Sequence, residues 1–74
     1  MKRYIRSSEQ INYTVGDPVV RWDRAYKGYA VEISNGRVVI QEVDDDWNPI
    51  NSDYFSGNAV DYEFVGGYKH PDFR

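Results

Sequence analysis

Tyr29-Ala-Val-Glu-Ile-Ser-Asn-Gly-Arg-Val-Val-Ile-Gln-Glu-Val43 places two β-rich runs on either side of Asn35-Gly36. Both central residues of a type I′ turn need positive φ, which Gly reaches freely and Asn tolerates, so the stretch reads as a β-hairpin with a two-residue loop. That loop sets the register: Ser34 faces Arg37, Ile33 faces Val38, Val31 faces Ile40 and Tyr29 faces Glu42. Side chains alternate across a sheet, so Val31, Ile33, Val38 and Ile40 share one face, the expected core face. Ala30, Glu32, Ser34, Arg37, Val39 and Gln41 fall on the other, expected to be mostly wet.

Outward from the hairpin, the chain has the makings of one small all-β domain, residues 1–74. Upstream, Tyr13-Thr-Val-Gly-Asp-Pro18 reads as a lead-in and turn, and Val19–Asp23 as a strand with Val20 and Trp22 on one face, Trp22 in the core. Gly28 suits a bulge or tight bend where the hairpin begins. Downstream, residues 44–58 are rich in turn formers and have no evident period, which reads as a fifteen-residue loop of a length that often carries function. Ala59–Val65 reads as a further strand with Val60, Tyr62 and Phe64 on one face. Residues 66–74, broken by Pro71, read as a loose tail. In residues 1–13, Lys2–Arg6 is a candidate edge strand. Ser7 with Gln10 fits a capping box for a single helical turn over Ser8–Asn12. A β body over 15–65 with about four to five strands predicts a small SH3-like barrel or a curled antiparallel sheet.

Val15-Gly16-Asp17-Pro18-Val19-Val20, then Lys27-Gly28-Tyr29-Ala30-Val31-Glu32-Ile33, then Asn35-Gly36-Arg37-Val38-Val39-Ile40 resemble SH3-like small barrels of the KOW and Tudor kind. The resemblance covers about residues 15–43. It implies a small barrel whose loops flank a binding groove, and it implies a fold more than a function.

Composition narrows the function classes. The 74 residues hold no Cys, so neither a disulfide nor a thiolate metal site is available. No apolar run is long enough to cross a membrane and the N-terminus has no apolar signal core, which together point to a cytoplasmic protein without a membrane partner. The net charge of −3 is unevenly spread: residues 1–28 hold six basic against three acidic side chains, residues 29–74 three against nine. Nucleic-acid-binding small barrels tend to be basic, and a pI near 4.9 points away from that partner.

Candidate sites follow from residue chemistry. Asp44, Asp45 and Asp46 supply oxygens suited to a hard cation, and Asp44, Asp46 and Asn48 fit the start of a calcium-loop pattern. The pattern then fails, with Pro49 where Gly is needed and Phe55 where Glu is needed, so no metal and no cofactor is expected. The plain reading is then a solvated acidic loop, and a third is an acidic docking patch. Trp47, Tyr26 and Tyr54 beside Asp44–Asp46 would make an aromatic and acidic surface able to receive a Lys or Arg side chain from a protein partner with a basic surface; the other reading of Trp47 is that it folds back and covers a small core. Arg21, Arg24 and Lys27 are candidate phosphate contacts, more readily explained as a solvated face. His70, the one histidine, lies in the tail and reads as structural, and no catalytic constellation is evident.

The expected function is therefore a non-catalytic protein-binding module. Small size, acidity and absent Cys are also compatible with an inhibitor of a nucleic-acid-handling protein, made by a phage or mobile element and acting by mimicry, such as an anti-CRISPR protein. A weak nucleic-acid binder comes after that. An exposed first or last strand is also a place where a second copy could pair.

Overall fold

The computed structural model describes residues 11–73. Five strands, β1 (Pro18–Arg21), β2 (Lys27–Ser34), β3 (Arg37–Val43), β4 (Pro49–Asn58) and β5 (Tyr62–Phe64), form one antiparallel sheet in the order β4-β3-β2-β1-β5. A 3₁₀ turn, Ala59–Asp61, joins β4 to β5, and a second, Pro71–Phe73, lies near the C-terminus. The sheet is curled and unclosed. Its terminal strands do not pair, yet the rings of Phe55 on β4 and Tyr62 on β5 meet at 6.3 Å. The concave face holds the core: Tyr13, Val19, Ala30, Val38, Ile40, Ala59 and Tyr62, with Ile11, Ile33 and Phe55 packed against it.

The hairpin turn forms as its residues dictate, with φ of 52° at Asn35 and 77° at Gly36. Ser34 pairs with Arg37 and Ile33 with Val38, as expected. Beyond that the register departs. A bulge between Ala30 and Glu32 leaves Val31 as an extra residue, so Ala30 pairs with Ile40 and Tyr29 with Gln41. Ala30 replaces Val31 on the core face, and Tyr29 and Gln41 are buried on the opposite face, which is wet at its turn end and along β4. Gly28 is no bend. It lies within the ladder between Val19 and Glu42, where an added Cβ would overlap the Gln41 carbonyl oxygen and lie 2.5 Å from Ile40 Cγ2.

The expected fifteen-residue loop is instead a five-residue turn followed by β4. Tyr54–Asn58 pairs regularly with β3, and between Gln41 and Val43 the single residue Glu42 faces four residues of β4, Ile50–Asp53. This excursion, with Ser52 at φ 78°, and an edge position that leaves Asn51–Tyr54 exposed hide the strand period. Trp22 is a second correction. β1 ends at Arg21, and Trp22 opens the following turn with 65% of its surface exposed. In the expected strand 59–65, only Tyr62–Phe64 is extended; Tyr62 is buried while Val60 and Phe64 are exposed. The candidate strand Lys2–Arg6 and the capping box Ser7–Gln10 lie outside the described residues, and Ile11 and Asn12 are not helical.

Two outcomes are expected. Gly28→Ala should destabilise by about 3 kcal/mol, the upper end of overpacking costs, because the overlap is with backbone. A thermal melt should show this as a fall of roughly 10 °C or more. Second, burial raises the Tyr13 phenol to about 12, while its hydroxyl donates to the Ala59 carbonyl at 2.5 Å. Burial also raises Tyr29 and Tyr62. These folded values lie above the unfolded one near 10, so stability is fully present below about pH 10 and falls as pH rises through about 12. Denaturant midpoints measured against pH should hold steady to about pH 9 and then decline, tyrosinate absorbance rising with the unfolded fraction.

Candidate functional site

The turn Asp44–Asn48 is built by Asp44. Its Oδ1 accepts from the N–H groups of Asp46 and Asn48, both at 2.9 Å. Its own N–H donates to the Asn48 carbonyl and its carbonyl accepts from Trp47 N–H, while Trp47 adopts φ 64°. The Asn48 N–H, then the Asp46 N–H and the Lys27 ammonium, hold the Asp44 carboxyl below its ordinary range despite partial desolvation. Asp44 is thus a structural element of the turn. Asp45 and Asp46 project from it into solvent.

Trp47 is half-buried by aromatic neighbours on the convex face. Its ring stacks on Tyr68 at 4.6 Å and 16°, and meets Tyr29 edge-on at 5.7 Å. The Tyr29 hydroxyl donates to the Trp47 carbonyl at 2.8 Å. Lys27 Nζ sits 5.6 Å from the Trp47 ring centroid and 3.8 Å from Asp45 Oδ1. The cradle between Trp47 and Asp45 holds the chain's own Lys27.

The remaining aromatics divide. Tyr54 pairs with Gln41 and so shares the convex face with Trp47, 54% exposed. Tyr26 belongs to the concave side, packed on Phe55 at 5.1 Å beneath the Arg21 guanidinium. The structure thus keeps Trp47 and Tyr54 on one face and sets Tyr26 apart. The candidate phosphate contacts are all engaged by acids: Arg21 with Asp23 at 3.6 Å, Arg24 with Glu63 at 3.1 Å, and Lys27 with Asp45. Two of these pairs join the basic first part of the chain to the acidic second, so folding cancels much of the charge asymmetry.

Tyr68 and His70, in the expected loose tail, are the site residues that sequence reasoning missed. His70 is buried. Its Nδ1 accepts from Asp72 N–H at 3.0 Å, which leaves Nε2–H to donate to Gln41 Oε1 at 2.8 Å. Gln41 Nε2 reaches the Ile50 carbonyl at 3.4 Å, and the His70 ring packs edge-on against Tyr29 at 5.0 Å. This chain of bonds holds the C-terminal segment against the sheet and Tyr68 against Trp47. Residues 66–74 hold two Gly, Lys, His, Pro, Asp and Arg beside Tyr68 and Phe73, and nothing in that composition marks the segment as packed.

Among the described residues there is no concave pocket, no cluster of three His, Cys, Asp or Glu side chains placed to hold a metal ion, and no helix long and apolar enough to cross a membrane. No protein-family model, curated protein or solved structure matches the chain.

His70→Ala should leave the buried Gln41 Oε1 without its donor and release Tyr68 from Trp47. The expected cost is about 1–3 kcal/mol in denaturant unfolding. It should come with a changed near-ultraviolet circular dichroism band from the loss of the stacked pair.

Proposed function

We propose that the protein is a non-catalytic binding module, a small SH3-like sheet whose acidic turn docks a protein partner with a basic surface. The observation that carries this reading is the rigid turn that presents Asp45 and Asp46 to solvent beside the Trp47–Tyr68 stack, with Tyr54 exposed on the same face. Residues 11–73 hold eleven acidic and five basic side chains, and three of the five are paired with acids. The surface field is negative, which steers a basic partner and disfavours a polyanion. Lys27 defines what the cradle accepts. An ion pair this exposed contributes little, so a partner's Lys or Arg can take its place over the ring and next to Asp45.

The same excess of acids favours a second reading of who the partner is: a protein whose own ligand is nucleic acid, its cationic groove occupied by this surface in place of phosphates. Both readings use the same experiment. Tagged protein and the double variant Asp45→Ser, Asp46→Ser are used to capture partners from a lysate of the source organism, with Asp44 left intact to keep the turn. The wild type should retain one stoichiometric protein that elutes as salt rises, and the double variant should lose it. Equal capture by both would overturn the acidic-turn reading, and a captured nucleic-acid enzyme would select the second.

A further inference from the structure

The two edges of the sheet are not alike. At β5, the bonds Trp22 N–H to Asp61 carbonyl and Val65 N–H to Pro18 carbonyl turn residues 61, 63 and 65 toward β1. Tyr62 and Phe64 therefore face outward, and both N–H groups are satisfied locally, Tyr62 by the Ala59 carbonyl and Phe64 by Asn12 Oδ1 at 3.1 Å. That edge is short, and its outward donors are taken. At β4, the bond from Ala59 N–H to the Gly36 carbonyl sets the opposite accounting. With Gly57 opposite Val38 and Phe55 opposite Ile40, residues 55 and 57 bond to β3. The N–H groups of Tyr54, Ser56 and Asn58 then point away from the sheet, and among the described residues no hydrogen bond receives them.

Natural edges are blunted by charge, proline or bulges. β4 carries such devices only at its start, in Pro49, the Ile50–Asp53 excursion and Asp53; Tyr54-Phe-Ser-Gly-Asn58 has none. This run is also self-complementary. Antiparallel pairing about a two-fold axis at Ser56 sets Tyr54 of one copy opposite Asn58 of the other, and Phe55 opposite Gly57. No like charges meet within the paired run, and Gly57, whose core side is lined by Tyr62 of its own copy, puts no side chain in the way of the facing Phe55.

We propose that β4 is a homodimerisation edge: two copies pair Tyr54–Asn58 about Ser56 to give one continuous ten-stranded sheet. Among the described residues the outward N–H donors of β5 are taken, so association ends at two once the β4 edge is consumed by an isologous contact. The edge shares Tyr54 with the docking face but includes no residue of the acidic turn, so loss of the Asp45 and Asp46 carboxylates leaves the dimer contact intact. It also responds oppositely to salt: screening the acidic bodies strengthens the dimer, whereas it weakens a basic partner's hold.

Sedimentation velocity of the full chain from micromolar to millimolar concentration should show the mass rising from 8.7 kDa towards twice that value, more readily at high salt. Amide hydrogen exchange at Tyr54, Ser56 and Asn58 should slow as concentration rises, while Phe55 and Gly57 are protected throughout. Ser56→Lys places two ammonium groups at the axis, and Ser56→Pro removes the central outward donor without touching the β3 ladder. Ser56→Lys, with its exposed side chain, should melt like the wild type and remain monomeric at every concentration; Ser56→Pro should also remain monomeric. A wild type that stays monomeric at millimolar concentration would overturn the proposal. So would dimerisation of Ser56→Lys equal to wild type, or exchange at the three amides that ignores concentration.

Discussion

One extra residue, Val31, governs the far half of the sheet. Without the bulge, Tyr29 and Val31 would both point into the concave core. With it, Ala30 takes the core position and Tyr29 turns to the convex face beside Gln41. Ala30 is small, which leaves room for Val19, Ile40 and the tyrosines around it. Tyr29, displaced outward, needs cover and a partner for its hydroxyl. Trp47 and His70 supply both. The acidic turn and the C-terminal segment are thus anchored to the sheet through a residue that a regular ladder would have buried on the other side.

This explains which features could be read in advance. The Asn35-Gly36 turn and the pairs next to it follow from local conformational preference, and they form as local chemistry requires. The bulge has no local signature, because Val31 is as good a strand residue as its neighbours; it is chosen by the fit of Ala30 and Tyr29 to two different packed layers. β4 was hidden for a different reason. Asn51, Ser52, Asp53, Ser56, Gly57 and Asn58 are turn formers by propensity, and an edge strand with one packed face has little need of β-branched residues. Strand pairing with β3 overrides the local preference.

The candidate site was legible in part. The acidic run, Trp47 and Tyr54 were visible as residue types, whereas their roles come from long-range packing: Asp44 serves the turn, Lys27 fills the cradle, and Tyr68 completes the stack. Trp22 was misplaced because strand parity was carried one residue past the end of β1, and because Val19 rather than Val20 faces the concave core. It stands exposed where its N–H meets the Asp61 carbonyl, with Val60 also exposed in the adjacent 3₁₀ turn.

The position of β5 has a bearing on how the chain acquires its structure. β2, β3 and β4 meet through neighbours in sequence, and these contacts close short loops. β1 is completed by residues near the other end of the chain, with Val19 opposite Phe64, and the concave layer lacks Ala59 and Tyr62 until they arrive. Loop-closure entropy is spent before such distant contacts repay it, which slows folding. On a ribosome, the three-stranded meander is made first with its apolar face open. The cooperative unit exists only after the last strand has emerged, so folding of this domain is a late event in its own synthesis.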